Sequence, residues 1–259
     1  MTSEPLPIPP FEMRQLVGPT EESFFDNPGG KLALPDVDER YFNHVFDFGC
    51  GCGRVARQMI QQRAAPSAYL GIDIHRGMID WCRTNLTPRA PHFRFEHFDA
   101  YNIGFNPKGS RSPLKFPARG SDYTLVNAWS VFTHILEPDV AHYLAEVRRV
   151  MTADAMFLST WFLTEKLYFP MMQEFQNALY INPIDPTNAV IFDRDWVRRC
   201  YAAAGLRLVK ITPPRVRGFA WVLVATSRTD LAEAEFPFDD APFGVKRPPV
   251  GDRPPSEIR

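Results

Sequence analysis

No apolar run among the 259 residues is long enough to span a bilayer. The opening stretch MTSEPLPIPP has no basic region followed by an apolar core, so it does not read as a secretory signal. Charge of neither sign predominates: 29 Lys and Arg stand against 30 Asp and Glu, for a formal net charge of −1. Without a global basic field, wrapping nucleic acid or coating an anionic membrane is not expected to be the main task. Cysteine is scarce. Cys50, Cys52, Cys82 and Cys200 are the only four, and histidine supplies six residues with no pair at ligand spacing beside them. Four-ligand metal sites usually draw on two close pairs, and here Cys82 and Cys200 are isolated. No metal is therefore expected, and the cysteines read as small apolar fillers in a reducing, cytoplasmic setting.

What is present suits one sizeable domain with additions at each end. Hydrophobic residues make up 45% of the chain and charged ones 23%. Residues 1–41 are rich in Pro, Glu and Gly and read as an extended arm or lid with one short helix. From residue 45 strand and helix patterns alternate. Apolar runs at 45–48, 69–72, 93–98, 123–126 and 156–161 read as strands, and the segments between carry apolar residues at helical spacing. Residues 101–120 interrupt this pattern as a long loop with Lys108, Arg111, Lys115 and Arg119. An aromatic insertion at 162–191 follows the fifth strand. Asp193 reads as the N-cap of a helix that stops at Gly205. Runs at 206–211 and 219–226 then close the domain as a hairpin, and 229–259 form a proline-rich tail. The main domain thus spans 42–228. Strands joined through helices imply a doubly wound α/β fold: a mostly parallel sheet with an antiparallel strand near one edge.

In such a sheet, ligands sit beyond the carboxyl ends of the strands. The first strand runs into Gly49-Cys50-Gly51-Cys52-Gly53, where glycine lets the backbone turn sharply and approach a ligand closely. The amides that open the next helix then face that ligand, and Cys50 and Cys52 are spacers. A glycine loop alone is a weak signal, but its companions sharpen it. Asp73, at the end of the second strand, is placed to accept hydrogen bonds from both ribose hydroxyls. Asp99, at the end of the third, is placed to read an adenine amino group. Asp47 precedes the loop inside the first strand. Any one of these alone is better explained as a turn or cap residue; all three at successive strand ends point to a nucleoside site.

At these positions the sequence resembles the class I S-adenosylmethionine-dependent methyltransferases, of the small-molecule type. VFDFGCGCGR is similar to their first motif, GID to the acid of the second strand, FDA to the adenine contact and DYTLVNAWSVFTHI to the fourth-strand motif. The resemblance covers about residues 42–227. It implies a seven-stranded Rossmann-like sheet, S-adenosylmethionine as cofactor and methyl transfer as the activity. It further implies that Gly49, Gly51 and Gly53 approach the cofactor and that Asp47 helps hold its amino group. Asp73 and Ile74 would lie at the ribose, Asp99 and Ala100 at the adenine, and Asn127 beside the methionine end. Where many members have a proline and two glycines before the fifth strand, this chain has Thr152-Ala153-Asp154-Ala155, which puts a turn in doubt and leaves the cofactor site untouched. A rival reading, an NAD-dependent oxidoreductase, can be laid over Gly51-x-Gly53-x-x-Ala56. It leaves Asp99-Ala100 without a role and lacks a second mononucleotide half.

The fourth-strand exit should inform on the methyl acceptor. Asn127-Ala128-Trp129-Ser130 lacks the paired prolines and aromatic residue typical of enzymes that methylate base or glutamine amines, and a small molecule is the expected acceptor, with a hydroxyl on a sugar or other natural product favoured. His134 is the histidine near this exit, suited to take a hydroxyl proton or, more plainly, to pack at a helix start. Arg14 of the arm, Trp129, Tyr168 and Tyr180 are the acceptor-side candidates. The aromatic insertion has two readings: a roof over the acceptor, or an interface between the copies of a homodimer. A non-catalytic cofactor-binding partner of another enzyme would share every motif, and only turnover separates it.

Overall fold

The computed structural model describes residues 5–18, 24–166, 172–214 and 220–237. Five parallel strands form its centre in the order β3-β2-β1-β4-β5: β1 (His44–Phe48), β2 (Ala68–Asp73), β3 (Phe93–His97), β4 (Tyr123–Ala128) and β5 (Met151–Thr164). Strand β9 (Trp221–Thr226) runs antiparallel along residues 156–161 of β5, and β8 (Arg207–Thr212) pairs antiparallel with β9. The expected sheet with one antiparallel strand next to its edge is thus observed.

Both faces are buried, as the near-continuous apolar strands require. Alternate residues point to opposite sides. Phe46, Phe48, Leu70, Ile72 and Val126 join one core cluster with Val140, Leu144 and Val147 of α4 (Glu137–Val150) and Val197 and Tyr201 of α5 (Arg194–Ala203). Val45, Tyr69, Leu125 and Leu158 join a second cluster with Ala56 and Met59 of α2 (Arg54–Gln61) and Ile79 and Cys82 of α3 (Arg76–Asn85). The short helix of the arm is α1 (Phe11–Leu16). Pro138 sits in the first turn of α4, where its missing N–H costs no bond. Asp193 caps α5 by accepting the Trp196 amide at 3.0 Å, and Gly205, at φ 72°, follows its end.

The segment 162–191, read in the sequence as an aromatic insertion with no elements assigned, contains strands. Strand β5 continues to Thr164, outrunning β4, whose last partner on it is Ser159. Its residues Phe162–Thr164 pair in parallel with β7 (Val190–Asp193), which in turn pairs antiparallel with β6 (Ala178–Tyr180). Segments of three and four residues are too short to display a period of two, which is why pattern alone missed them. Tyr168 lies outside the described residues. The unusual Thr152-Ala153-Asp154-Ala155 forms no turn: α4 passes into β5 at Met151, and these residues extend the strand. Residues 101–120 are largely irregular as expected, with isolated bridges at Ala100–Ser110 and Asn102–Asn106. They are held down where the Glu146 carboxylate accepts the Phe116 amide at 2.7 Å. Arg111 lies over the Tyr101 ring at 3.9 Å. Among the described residues, no helix is long and apolar enough to cross a membrane.

Candidate cofactor and acceptor site

The carboxyl ends of β1, β2 and β4 meet in register, with Asp47 beside Gly71 on one side and Asn127 on the other. The glycine loop leaves β1 here. The amides of Gly49 and Cys50 donate to the Ile72 carbonyl at 2.8 and 3.0 Å, which folds the loop back over β2. Asp73 then ties loop and strand end together. Its Oδ2 accepts the Gly51 amide at 2.8 Å and its Oδ1 the His75 amide at 2.7 Å. A carboxylate has about four acceptor positions, so two remain for a ligand. Burial raises the Asp73 pKa, and the two backbone hydrogen bonds oppose that rise.

Glycine is required in this loop by conformation and by space. Gly49 and Gly51 have φ of 80° and 55°, a region that side chains rarely tolerate. A Cβ on Gly49 would meet Val131 Cγ2 at 2.3 Å, and one on Gly51 would meet Val17 Cγ1 at 2.7 Å. Gly53 is the N-cap of α2 and offers no side chain to cap it, which leaves the first-turn amides of the helix to other acceptors.

Under the loop lies a buried polar network. Asp47 is only 1% exposed. Its Oδ1 accepts the Asn127 amide nitrogen at 2.7 Å, and its Oδ2 accepts the Tyr69 hydroxyl. Burial lifts the Asp47 pKa to about 6, against the pull of those two donors. It also holds the Tyr69 phenol well above its ordinary value, so Tyr69 remains a donor. Gly71 makes the network possible, because a Cβ there would meet Cys50 at 2.9 Å and the Tyr69 ring at 3.0 Å. The sequence expectation had Asp47 holding an amino group directly. Each of its oxygens accepts one hydrogen bond within the fold, as each of Asp73's does, while the side chain as a whole is buried beneath the loop. The Asn127 Oδ1 is buried without a hydrogen-bond partner among the described residues.

On the next strand, β3 ends at His97, two residues before Asp99. Asp99 is exposed, and its Oδ1 accepts the Asn106 side-chain amide at 3.0 Å, which also donates to the Ala100 carbonyl at 3.0 Å. Ile74 and Ala100 are half-buried against the first core cluster, and the Ile74 carbonyl lies 3.0 Å from His97 Nε2. Phe105, from the long loop, has its ring 6.0 Å from that of His75. Tyr69, His75, Phe105 and Asn106 thus join the site without having been singled out in the sequence. Only the phenol of Tyr69, a polar group among the apolar residues at the start of β2, offered any signal there.

The three nearby cysteines pack around this loop. Cys50 lies against Gly71, and Cys52 forms a small cluster with Phe24 and Met78. Cys82 Sγ comes within 3.0 Å of where a Gly53 Cβ would stand. Burial raises all three thiol pKa values, that of Cys52 to about 12, so these sulfurs carry protons and not charge. Among the described residues, no group of three His, Cys, Asp or Glu side chains is placed to hold a metal.

Beyond β4 the chain turns through Trp129 and Ser130. Ser130 has φ 60°, and its amide donates to Thr160 Oγ1 at 2.7 Å. Trp129 is half-buried against the second core cluster. His134 is exposed, and its Nδ1 lies 2.9 Å from the Thr187 carbonyl. A carbonyl only accepts, so Nδ1 carries the proton in that contact. Thr187 Oγ1 also accepts the Asn102 amide at 2.9 Å, so the segment before β7 is stapled to the loops after β3 and β4. Tyr180 sits on β6, and its hydroxyl accepts the Glu137 amide at 3.4 Å. Arg14 lies on α1 with its guanidinium 5.7 Å from the Phe11 ring.

The arrangement fits a nucleoside joined to an amino-acid tail. It offers a carboxylate with spare acceptor positions at one strand end, an exposed carboxylate at the next and an orphaned amide oxygen at the fourth-strand exit. A family model described as a methyltransferase domain matches residues 45–154. A solved S-adenosylmethionine-dependent methyltransferase from Aquifex aeolicus superposes with a TM-score of 0.51 at 15% identity, covering 85% of this chain and 98% of that one. The geranyl diphosphate C-methyltransferase of Streptomyces coelicolor A3(2), solved with S-adenosyl-L-homocysteine, gives a TM-score of 0.51 at 13% identity, over 72% of this chain and 71% of that one. Such identities speak for the fold, and the family match adds the domain. Residues 45–154 thus match a methyltransferase domain, on a fold that this chain shares with solved S-adenosylmethionine-dependent methyltransferases.

Proposed function

We propose that the protein methylates a hydroxyl group on a small molecule, a sugar or other natural product, with His134 as the general base. The observation that carries this reading is the orientation of His134. Its Nδ1 lies 2.9 Å from the Thr187 carbonyl, so in the neutral ring Nδ1 donates there and Nε2 is the acceptor. A base oriented by a second group is what deprotonation of a hydroxyl requires. In this reading Asp73 and Ile74 hold the ribose, Asp99 and Ala100 the adenine, and the Asn127 Oδ1 accepts from the amino group at the methionine end. The glycine loop supplies close backbone approach. The bound cofactor supplies an electrophilic methyl group on a sulfonium. Asn102, Thr187 and His134 fix the segment that closes over the acceptor side, with Trp129 and Tyr180 at its border.

Mass spectrometry of small molecules that co-purify with the protein, followed by turnover assays on those found, tests the acceptor class. With an acceptor in hand, His134→Gln should lower turnover by about 10²-fold or more, keep cofactor affinity and remove the acidic limb of the pH–rate profile. An unchanged profile with a modest rate loss refutes the base assignment and leaves His134 as a support for Thr187.

A further inference from the structure

The arm that precedes β1 is proline-rich: Pro5, Pro7, Pro9 and Pro10 lack N–H groups, so this stretch has few amides to offer a sheet edge. Its carbonyls still require donors wherever they are covered. One side chain of α2 meets that need. Arg57, 1% exposed, directs its guanidinium into the arm and uses all five of its N–H donors there. Nε donates to the Pro7 carbonyl at 3.2 Å, and one terminal nitrogen donates to the carbonyls of Phe24 and of Phe25, the latter at 2.9 Å. The other donates to the Leu6 carbonyl at 2.9 Å and to Asp26 Oδ1 at 2.6 Å. A single buried cation thus gathers two separate stretches of the arm, residues 6–7 and 24–26.

The neighbours of Arg57 at helical spacing complete the seat. Gln58 Nε2 donates to the Phe25 carbonyl at 2.9 Å, and Gln61 Oε1 accepts the Asn27 amide at 2.9 Å. Arg54, one turn earlier, brings its Nη1 to within 3.3 Å of where a Gly18 Cβ would stand. The stripe of residues 54, 57, 58 and 61 has the look of a solvent-facing surface in the sequence, yet it is where the arm docks. What the arm then covers is the cofactor loop. Val17 lies against Gly51, Met13 approaches Gly77 at the start of α3, and Phe24 is buried on Cys52 and Met78.

We propose that Arg57 is a positioning residue for cofactor binding, a latch that holds the N-terminal arm closed across the glycine loop and thereby slows escape of the bound nucleoside. Arg57 touches neither the strand ends nor any reacting atom, and it acts only through the arm. The latch rests on the cofactor assignment, but its mechanical part is separable, since the arm should be held with or without ligand.

The test uses the full chain with S-adenosylhomocysteine as the probe. Arg57→Ala should weaken binding by tenfold or more in calorimetry and speed dissociation comparably in stopped flow. Arg57→Lys, which restores charge and some donors, should recover part of both. Because Arg57 is buried and its loss can unfold the chain, Asp26→Ala provides the second variant. Asp26 is the outer end of the latch, with its side chain 53% exposed, and its removal should speed dissociation by about threefold or more while leaving the core intact. Limited trypsin digestion below the melting temperature reads the arm directly. Cleavage after Arg14 should be faster in both alanine variants than in the parent, with cuts inside the sheet unchanged. Parental dissociation rates in folded Arg57→Ala or Asp26→Ala, or parental cleavage after Arg14, overturn the latch. Failure of the parent itself to bind the probe would sink the cofactor assignment, and the digestion would still decide whether Arg57 holds the arm.

Discussion

Replacing Asp47 by asparagine isolates the energetics of the network beneath the glycine loop. Its carboxyl titrates near 6 in the folded protein against an ordinary 3.8, because burial penalises the charged form more than the Tyr69 and Asn127 donors favour it. The sign follows from linkage. A folded-state pKa above the unfolded one means that the native state binds the proton more tightly between the two values, so stability falls as pH rises through that window. Below about pH 4 both states are protonated and Asp47 adds no penalty; above about 6 both are ionised and the full penalty is present. At about 1.4 kcal/mol for each unit of difference, that penalty is roughly 3 kcal/mol. Asparagine keeps the shape: one oxygen accepts from Asn127, and its amide donates to the Tyr69 oxygen. Urea unfolding of parent and Asp47→Asn from pH 4.5 to 8, extrapolated to water, supplies two stability curves. Asp139, whose pKa is also raised, and Glu146, whose value is lowered, bend both curves alike and cancel in their difference, whereas Asp73, whose charge acts on Asp47, adds a smaller change of its own. The difference should shift in favour of asparagine by about 2 kcal/mol across the range, mostly below pH 6.5. A difference that stays flat would show that Asp47 titrates normally, and the buried network as described would be wrong.

Asp73→Ala removes the anchors of the Gly51 and His75 amides together with the ribose acceptors, so S-adenosylhomocysteine affinity should fall about tenfold to a hundredfold, at roughly 1.5–3 kcal/mol for a charge-assisted bond; calorimetry with unchanged affinity would refute the site. Replacing Cys50 and Cys52 together by alanine should leave that affinity within a few-fold and cost about 1–2 kcal/mol of stability, because the sulfurs fill space beside Gly71 and Phe24. Elemental analysis showing a stoichiometric metal lost from the double variant would overturn the packing role.

The parallel sheet was readable because its central strands are apolar runs, the first two stopping at a glycine and an acid, and the helices after β1, β2 and β4 repeat their apolar residues every three or four positions. The glycine loop was equally legible, since three glycines one residue apart have few other uses than a sharp turn with an open backbone. Position decided the rest. Asp47, Asp73 and Asp99 look alike in the sequence, yet one is sealed under the loop, one is half-occupied by backbone amides and one is exposed. The sheet register sets that difference by placing Gly71 and Tyr69 beside Asp47. Strands β6 and β7 were invisible because their three and four residues become strands only by pairing with the overrun of β5. Arg57 is the plainest case. In the sequence it belongs to a polar stripe that any exposed helix would carry, and only the return of residues 6–7 and 24–26 over α2 makes it a buried cation with five acceptors. Local pattern determines which residues form an element and which face of it is apolar. What meets the polar face depends on chain segments far away in sequence, and no periodicity records them.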